Sequence, residues 1–449
     1  MSEHYSCFKA YDVRGRVPDQ LNEPVAYRIG RAFAQFLRAK KIVVGHDIRL
    51  TSPAICEAVS NGIRDAGADV THIGQCGTEE IYFATANGDF DGGLVVTASH
   101  NPVDYNGMKF VREQARPISG DDGLPEIKAL AESGNFREPA RRGTLGRARD
   151  KSAYTNHLLG YVDKSALKPL KVVVNAGNGG AGTIVDLLEP HLPLHFVKVH
   201  HEPDGRFPNG VPNPLLEENR AATAQRVVVE NADLGIAWDG DFDRCFFFDE
   251  HGGFIEGYYL VGLLAEAFLQ KGGAAIVHDP RLTWNTIDIV RRLHGKAVQS
   301  KTGHAFIKQV MRDNDAVYGG EMSAHHYFRD FAYCDSGMVP WLLVVELLST
   351  SGKPLSQLVA ERQAAYPVSG EINRTVGDAE KVLSVIESRY RGDALVVDKT
   401  DGLSMEFANW RFNVRRSNTE PLVRLNVESR GDVALMEEKT TELLTYIEA

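Results

Sequence analysis

Short apolar runs alternate with amphipathic stretches along most of this chain. The segments at residues 41–45, 68–74 and 92–96 are predicted to be strands. A Ser-Pro pair at residues 52–53 predicts the start of a helix running to about residue 66, with the serine as cap and the proline at the first helical position. Strands and helices that alternate at this spacing predict an α/β fold with parallel, doubly wound sheets.

The strand-to-helix unit occurs more than once. The motif His-Asp-x-Arg-Leu-Thr follows a predicted strand at residues 46–51 and again at 278–283, where a helical pattern continues through residue 293. Residues 171–177 make a looser third copy. Because these copies are far apart, they indicate duplicated domains rather than a solenoid. Residues 368–449 contain no fourth copy and predict a smaller α+β domain.

A chain of 449 residues is too long for one hydrophobic core, so several domains are expected. Arg, Gly and Glu are concentrated at residues 133–151, which marks the first boundary, and a Gly-Gly pair and residues 367–371 mark the next two. The predicted domains are 1–150, 151–252, 253–367 and 368–449.

Composition narrows the choice of partners and compartment. The net charge of −10 argues against nucleic acid and anionic membranes as partners, although a local cluster of arginines can still bind an anionic substrate. The five cysteines are odd in number, scattered and without a C-x-x-C pair, which favours reduced thiols. The N-terminus has no signal pattern and no run is long enough to span a bilayer, so we expect a cytoplasmic protein.

The stretch at residues 97–102, Thr-Ala-Ser-His-Asn-Pro, is the first candidate for chemistry. It places the Ser99 hydroxyl at a strand end beside His100, and residues 104–110 are interpreted as a turn that leads to Lys109. A serine nucleophile or phosphoryl carrier needs such neighbours, because its proton must be removed and the charge of the transferred group offset. An ordinary polar turn is the alternative, and there is no G-x-S-x-G motif.

The strongest local signal is Asp-Gly-Asp-Phe-Asp-Arg at residues 239–244, which lies between two apolar runs. On an extended backbone, Asp239, Asp241 and Asp243 point to one side. Three crowded carboxylates repel one another unless a cation lies among them, and such oxygen ligands suit Mg²⁺ or Ca²⁺. An EF-hand loop is disfavoured because its sixth position is Arg244 instead of glycine and strands flank it. We therefore favour a Mg²⁺ site.

Three further loops carry polar chemistry. Residues 177–182 match G-x-G-x-x-G after a strand, with Glu202 about twenty residues later, and this is the fingerprint of an NAD-dependent dehydrogenase. Residues 319–327 combine a carboxylate, a hydroxyl and two imidazoles, which suits the recognition of sugar hydroxyls. Residues 415–421, Arg-Arg-Ser-Asn-Thr-Glu-Pro, concentrate the donors that a phosphate dianion requires. Each loop, taken alone, is also compatible with an ordinary turn.

Five loops follow one another in a characteristic order, at residues 9–15, 97–102, 239–244, 320–325 and 415–419. In this order, and over essentially the full length, the chain resembles the α-D-phosphohexomutases, the phosphoglucomutase/phosphomannomutase family. The resemblance implies four domains around a central cleft, each contributing one loop, with the first three related and the fourth distinct. It implies an Mg²⁺-dependent isomerase that interconverts hexose 6-phosphate and hexose 1-phosphate through a phosphoserine and a hexose 1,6-bisphosphate.

The resemblance also implies roles for individual residues. For catalysis it implies Ser99, His100, Arg14, Lys109 and His325. For the metal it implies Ser99, Asp239, Asp241 and Asp243. For substrate binding it implies Tyr11, Arg244, Arg281, His304, Glu321, Ser323, Arg415, Ser417, Asn418 and Thr419. The family often has a lysine where Arg281 aligns, so this residue departs from the usual pattern.

The expected partners are small-molecule sugar phosphates, and the expected assembly is a monomer. Two other classes remain open at this level. A dehydrogenase would bind a nucleotide at residues 177–182, and a non-catalytic sugar-phosphate-binding protein would keep the loop at 415–419 without turnover.

Overall fold

The computed structural model describes residues 5–270, 272–416 and 422–448. Within them the chain forms two compact units. The first contains residues 5–254 together with Asp330–Gly352, and the second contains Ile255–Arg329 together with residues 353–448. The chain therefore leaves the first unit, builds part of the second and returns to the first before it completes the second.

Strands and helices are numbered in chain order. The strands are β1 Val13–Arg16, β2 Lys41–His46, β3 Asp69–Gln75, β4 Gly92–Val96, β5 Tyr105–Arg112, β6 Leu145–Arg147, β7 Lys171–Asn175, β8 His195–Val199, β9 Leu234–Trp238, β10 Cys245–Phe248, β11 Phe254–Ile255, β12 Ala275–His278, β13 Lys296–Gln299, β14 Tyr318–Gly320, β15 His326–Phe328, β16 Cys334–Asp335, β17 Ile372–Thr375, β18 Val396–Asp398, β19 Leu403–Glu406, β20 Trp410–Arg416 and β21 Leu422–Ser429. The helices are α1 Glu23–Leu37, α2 Ser52–Asp65, α3 Thr78–Asn87, α4 Leu124–Ser133, α5 Ser152–Leu159, α6 Ala181–Leu188, α7 Ala221–Glu230, α8 Gly257–Leu269, α9 Trp284–Arg292, α10 His304–Asp313, α11 Val339–Ser351, α12 Leu355–Ala365, α13 Ala379–Tyr390 and α14 Val433–Ile447.

Local sequence explains the helix starts in the first domain. At α1 the Asn22 side chain accepts a hydrogen bond from the Val25 amide, and a proline occupies the first turn. The buried face of α1 packs on the first-domain core, which contains Ile29, Phe33 and Ile63. The prediction for α2 was off by one residue, because Thr51 is its cap and Ser52 its first residue.

Three sheets share one arrangement, which confirms the predicted relation between the first three domains. In each, three parallel strands continue into one antiparallel strand. The orders are β5-β4-β2-β3, β10-β9-β7-β8 and β15-β14-β12-β13. The sheets are therefore mixed: the predicted parallel strands are present, and each sheet also has an antiparallel strand that was not predicted.

This arrangement places the candidate loops at one equivalent position. The turn between the last parallel strand and its antiparallel neighbour contains residues 97–104 in the first domain, 239–244 in the second and 321–325 in the third. Parts of two segments interpreted as loops or turns, 9–15 and 104–110, belong to strands, because β1 begins at residue 13 and β5 at residue 105. Lys109 thus lies on β5, in register with Val95 of β4.

The last domain is different, as predicted. Its sheet is antiparallel throughout, in the order β17-β21-β20-β19-β18, and α13 and α14 pack on it. Its core includes Phe412, Leu425 and Leu443. The fold class is therefore confirmed: three related α/β domains and a smaller α+β domain. Among the described residues, no helix has both the length and the apolar character needed to cross a membrane.

Candidate active site

Ser99 lies at the tip of the turn that follows β4. Its backbone adopts a left-handed conformation with φ 48°, which is costly for a residue with a side chain and is a feature of functional turns. The amide of Ser99 donates to Thr97 Oγ1 at 3.0 Å, and its hydroxyl donates to Asp239 Oδ2 at 2.7 Å. His100 Nδ1 lies 3.1 Å from the same hydroxyl. The serine is thus fixed beside the aspartate turn of the second domain.

Arg49 holds this turn in place. It comes from the first His-Asp-x-Arg-Leu-Thr motif and its side chain is only 2% exposed. Its guanidinium donates hydrogen bonds to four backbone carbonyls, those of residues 99, 101, 102 and 105, at 2.6 to 3.0 Å. The Asp47 side chain accepts a hydrogen bond from the Arg49 backbone amide at 2.9 Å. One buried cation therefore fixes the path of the chain around Ser99.

The three aspartates converge, although not in the way predicted. Residues 239–244 form a turn between the antiparallel strands β9 and β10, and Phe242 has φ 48°, so the backbone is not extended. One carboxylate oxygen from each of Asp239, Asp241 and Asp243 lies within 4.8 Å of the others, and all three residues are buried. Turn geometry, and not strand alternation, brings the carboxylates to one side.

Basic side chains from the first and the second domain offset the negative charge of the three aspartates. Lys109 Nζ donates to Asp241 at 2.8 Å and to Asp243 at 2.5 Å. Arg244 donates to Asp239 Oδ2 through Nε at 2.9 Å and through Nη2 at 2.8 Å. Burial alone would raise the carboxyl pKa values, but Arg244 lowers the pKa of Asp239 below its usual range and Lys109 does so for Asp241. Asp239 and Asp241 are therefore ionised at neutral pH.

The aspartates also fit a divalent cation. The Oδ1 atoms of Asp239 and Asp241 are buried and lack a hydrogen-bond partner among the described residues. An unpartnered buried carboxylate oxygen is costly, and hard oxygen donors are what Mg²⁺ prefers. Ser99 lies beside the same trio, so its hydroxyl, or a phosphoryl group attached to it, can reach an ion there.

Two other predicted residues border Ser99. Arg14 donates to Asp12 at 2.8 Å, to the Ala98 carbonyl at 3.2 Å and to the Asn101 side chain. His100 is 37% exposed, and both desolvation of its ring and the charge of Arg244 lower its pKa to about 4. Its imidazole is therefore neutral at pH 7.

Tyr11 is half-buried in the loop before β1.

Glycines in residues 177–182 serve the aspartate turn. A Cβ on Gly179 would lie 2.9 Å from the Gly240 carbonyl, and one on Gly180 would lie 2.8 Å from the Phe242 ring. A Cβ on Gly77 would overlap the same ring. The glycines thus allow Phe242 to wedge between the first two domains, which accounts for the G-x-G-x-x-G pattern without a nucleotide.

The returning segment 330–352 supports the same region. The Gly337 carbonyl accepts from Trp238 Nε1 at 2.8 Å, and a Cβ on Gly337 would overlap the Phe242 carbonyl. Glu79, fully buried on α3, accepts from Ser336 Oγ at 2.9 Å and from the Gly337 amide at 2.6 Å. Residues distant in sequence therefore enclose the aspartate turn.

The second unit contains the predicted sugar-binding residues. Arg281 donates to Asp279 Oδ2 at 2.6 Å and contacts Ser323 Oγ at 3.4 Å and Glu321 Oε1 at 3.8 Å. Arg281 comes from the second His-Asp-x-Arg-Leu-Thr motif. Its guanidinium donates hydrogen bonds to side chains, whereas the guanidinium of Arg49 donates to backbone carbonyls. The two copies of one motif thus have different contacts.

Glu321 is held in place by its neighbours as a carboxylate that can accept hydrogen bonds. Its Oε2 accepts from Tyr327 at 2.6 Å and lies 3.3 Å from His325 Nδ1, and its Oε1 accepts from the Gly303 amide at 3.0 Å. Burial would raise its pKa, but His325 and Arg281 lower it below the usual range. His304 is the first residue of α10, directly after Gly303. The structure therefore brings Arg281, Glu321, Ser323 and His325 together.

Only part of the predicted phosphate loop can be described. Arg415 is buried near the end of β20, whereas Ser417, Asn418 and Thr419 lie outside the described residues. Arg415 Nη2 contacts Glu371 Oε2 at 3.2 Å, and Arg424 Nη1 contacts Glu371 Oε1 at 3.1 Å.

Several residues of the site were not predicted. Thr78 donates to Asp241 at 2.6 Å, Arg49 orders the serine turn, and Glu371 contacts Arg281 at 3.5 Å. The repeated motif was the one signal that could have singled out Arg49. No sequence motif surrounds Thr78 or Glu371, and only their contacts in the folded structure identify them as residues of the site.

Comparison with protein-family models gives four matches in chain order. They are the alpha/beta/alpha domains I, II and III and the C-terminal domain of phosphoglucomutase/phosphomannomutase, which match residues 6–138, 152–253, 256–366 and 371–444 respectively.

Similar proteins agree with these matches. A protein of Escherichia coli named phosphomannomutase is 60% identical over 98% of this chain and 99% of its own length. A protein of Xanthomonas campestris named phosphohexose mutases is 61% identical over 97% of this chain and 98% of its own length. A solved phosphoglucomutase/phosphomannomutase family protein of Burkholderia thailandensis is 31% identical, with a TM-score of 0.89, and covers 99% of this chain and 98% of its own.

Proposed function

Because the chain belongs to the phosphoglucomutase/phosphomannomutase family, we propose that Ser99 carries the phosphoryl group that this hexose-phosphate mutase transfers. The enzyme is an isomerase that interconverts a hexose 6-phosphate and a hexose 1-phosphate. One observation carries the proposal: the Ser99 hydroxyl lies 2.7 Å from Asp239, and one oxygen of Asp239 and one of Asp241 are buried without a hydrogen-bond partner among the described residues.

In this reaction the bond between phosphorus and Ser99 Oγ breaks as a bond forms to a hydroxyl oxygen of the sugar phosphate. The hydroxyl proton passes to a base, for which His100 and His325 are the candidates. The resulting hexose 1,6-bisphosphate then reorients. The bond between its other phosphorus and the sugar oxygen breaks as a bond forms to Ser99 Oγ, and the sugar oxygen takes up the proton that the base had accepted. Lys109 and Arg14 would offset the charge of the group in transfer, and their hydrogen bonds to Asp241 and to the Ala98 carbonyl support this role.

Asp239, Asp241 and Asp243 would hold Mg²⁺, with a phosphoryl oxygen on Ser99 as a further ligand. The ion would offset charge that develops on the transferred group. The residues present fit this role because two buried carboxylate oxygens have no partner among the described residues. Arg244 fixes one carboxylate and would also contact the substrate.

The second unit would recognise the substrate. Glu321 and Ser323 would bind sugar hydroxyls, and Arg281, His304 and Arg415 would take part in holding the sugar phosphate. Ser417, Asn418 and Thr419 would bind the phosphate that does not react, and Tyr11 would contact the substrate from the first domain.

The bisphosphate must reverse its orientation between the two phosphoryl transfers, so the site must bind the sugar in two opposite orientations. The C3 and C4 hydroxyls can serve both, whereas C2, where mannose and glucose differ, would be weakly recognised. The substrates would then be both mannose and glucose phosphates.

We further propose a monomer that acts in the cytoplasm on small-molecule sugar phosphates, and the odd number and scattered positions of the five cysteines support a reducing compartment. In this scheme domain 1–150 would supply the phosphoserine loop, 151–252 the metal loop, 253–367 the sugar loop and 368–449 the phosphate loop.

Intact-mass analysis of the freshly purified protein tests the proposal. We expect one added phosphoryl group, mapped to Ser99. Ser99→Ala should lower turnover by several orders of magnitude with its fold intact, while Ser133→Ala, at an exposed serine of the same unit, should leave it unchanged. Phosphate on another residue, with near-normal turnover in Ser99→Ala, would refute the proposal. Folded, phosphorylated protein without turnover would instead indicate a binding protein.

A further inference from the structure

A cavity of about 610 Å³ lies in the first unit, and none of the site residues described above lines it. Its lining residues come from α2, from the ends of β2 and β3, and from the segment that begins at β6 and reaches residue 151. Strands β2 and β3 are parallel, and ligands of open α/β sheets bind beyond the carboxyl ends of such strands. The volume is typical of small-molecule sites. We call this cavity the α2 cavity.

Three arginines line the α2 cavity without a carboxylate partner among the described residues. The Arg64 side chain donates to the Gly143 carbonyl at 3.0 Å and to Asn61 Oδ1 at 3.3 Å. The side chains of Arg147 and Arg149 are exposed and make no hydrogen bond or ion pair with any residue that the structure describes. This concentration of unpaired positive charge occurs in a chain whose net charge is −10.

Little negative charge is available to offset these arginines. Within the described part of the chain, Glu57 is the one carboxylate that lines the cavity, and it is exposed and forms no ion pair there. Lys151 is a fourth lining cation, but it already pairs with Glu80 at 2.6 Å. Positive charge therefore exceeds negative charge at the α2 cavity, and an anion bound there would offset it.

Two half-buried imidazoles also line the cavity, with ring centroids 5.7 Å apart. His72 Nδ1 accepts from the Gly74 amide at 3.0 Å and its Nε2 lies 3.2 Å from Cys56 Sγ, so both of its nitrogens have partners. His46 Nδ1 lies 2.7 Å from the Asp47 carbonyl, and this nitrogen must be the donor because a carbonyl only accepts. His46 Nε2 then remains an acceptor, with no hydrogen-bond partner in the described ranges.

A phosphate group fits this arrangement better than a carboxylate does. It presents three acceptor oxygens in different directions, and one guanidinium can bind two of them. Arg64 reaches the cavity from α2, whereas Arg147 and Arg149 reach it from β6 and the residues after it, so the donors come from two separate elements. A phosphate fills only part of the volume. The exposed side chain of Leu145 lines the rest and can contact an organic group.

We propose that the α2 cavity binds a phosphorylated small molecule, at a site separate from the one where the sugar phosphate reacts. Arg64, Arg147 and Arg149 bind its phosphate, and His46 accepts a hydrogen bond from a hydroxyl of its organic part. The site needs neither the phosphoserine nor the metal, so its test is independent of the mechanism proposed for Ser99.

Titration calorimetry with inorganic pyrophosphate, in buffer without Mg²⁺, compares the wild type with the double variant Arg147→Ala/Arg149→Ala. The binding component lost in the double variant reports the α2 cavity. We expect each arginine to contribute roughly tenfold to hundredfold to this affinity, because it donates charge-assisted hydrogen bonds. Arg137→Ala is the matched control, since Arg137 is an exposed arginine of the same unit that does not line the cavity. Citrate, an anion with carboxylates only, should bind more weakly than pyrophosphate.

Turnover and a thermal melt are measured for the same variants. Because the replaced arginines are exposed and do not contact the Ser99 site, the double variant should fold and keep the kcat and KM of the wild type. If it does not fold, the single replacements are titrated instead, and each must weaken pyrophosphate binding.

The outcomes separate the alternatives. Pyrophosphate binding that is lost in the double variant, kept in Arg137→Ala and accompanied by normal turnover supports the inference. Binding that the folded double variant retains in full overturns it. Loss of binding together with loss of turnover would assign the anion to the active site and overturn the claim of a separate site. Citrate binding as tight as that of pyrophosphate, with the same dependence on the two arginines, would overturn the assignment to phosphate.

Discussion

Replacing Arg49 by lysine separates the charge of this buried residue from its hydrogen-bond geometry. The guanidinium donates to four carbonyls of the serine turn, and its Nε also lies 3.5 Å from Asp47. Lysine keeps the positive charge near Asp47 but has all of its donors on one atom. It cannot reach four carbonyls that point at different sides of a planar group.

The expected cost follows from the bonds that are lost. A hydrogen bond to a charged group contributes about 1.5 kcal/mol at the low end of the measured range. If lysine keeps two of the four, the ordered turn is destabilised by about 3 kcal/mol. Since about 1.4 kcal/mol corresponds to a tenfold change, kcat should fall by up to about a hundredfold. The thermal midpoint of the first unit should fall by on the order of 5 °C.

Turnover, intact mass and a thermal melt are measured for Arg49→Lys beside Arg206→Lys. Arg206 is 74% exposed and pairs with Asp204 in the same unit, so the control makes the same exchange without a buried carbonyl cluster. We expect the loss in kcat and in Ser99 phosphorylation for Arg49→Lys only. Wild-type kcat together with an unchanged melt would refute the claim that these four hydrogen bonds fix Ser99.

Three further outcomes are expected. Asp241→Ala should reduce activity and Mg²⁺ dependence together, and full turnover in excess EDTA would remove the aspartates from the reaction. Lys109→Met removes the cation that contacts Asp241 and Asp243, so it should lower kcat by orders of magnitude, and a variant with near-normal kcat would show that this charge is dispensable. Specificity constants should be similar for mannose 1-phosphate and glucose 1-phosphate, poor for galactose 1-phosphate, and equally reduced for the first two in Glu321→Ala. Strong rejection of glucose, or equal use of galactose, would show that the sugar is recognised elsewhere.

Local patterns predicted the domains' fold class well because strands β2, β4, β7 and β12 are short apolar runs next to clear turn residues. They did not predict β5, since Asp104 and the Asn-Gly pair at residues 106–107 are typical of turns. Residues 105–112 become a strand through pairing with β4 and β1, which are distant partners. The sequence also predicted extended aspartates, whereas the pairing of β9 with β10 imposes a turn.

Candidate site residues were predicted where polar groups cluster in sequence, as at residues 97–102 and 239–244. Among the residues that act across the fold, Thr78 gave no such signal and Arg49 was marked only by the repeated motif. The contact of Thr78 with Asp241 depends on how α3 approaches the second domain, and the partners of Arg49 are main-chain carbonyls that any sequence would supply. The glycines at 177–182 indicated a nucleotide-binding loop, whereas in the structure they allow close packing. Both roles need residues without a side chain, so the pattern cannot distinguish them.

The return of residues 330–352 to the first unit has a consequence for how the protein is made. Domains emerge from the ribosome in order and fold as units, N-terminal first. Ser336 and Gly337, which supply donors to buried Glu79 and enclose Phe242, are synthesised only after β12 to β15 of the second unit. A nascent chain that ends before residue 330 thus has the serine and all three aspartates but lacks these donors to Glu79. The aspartate turn can reach its final packing only after most of the third domain has left the ribosome.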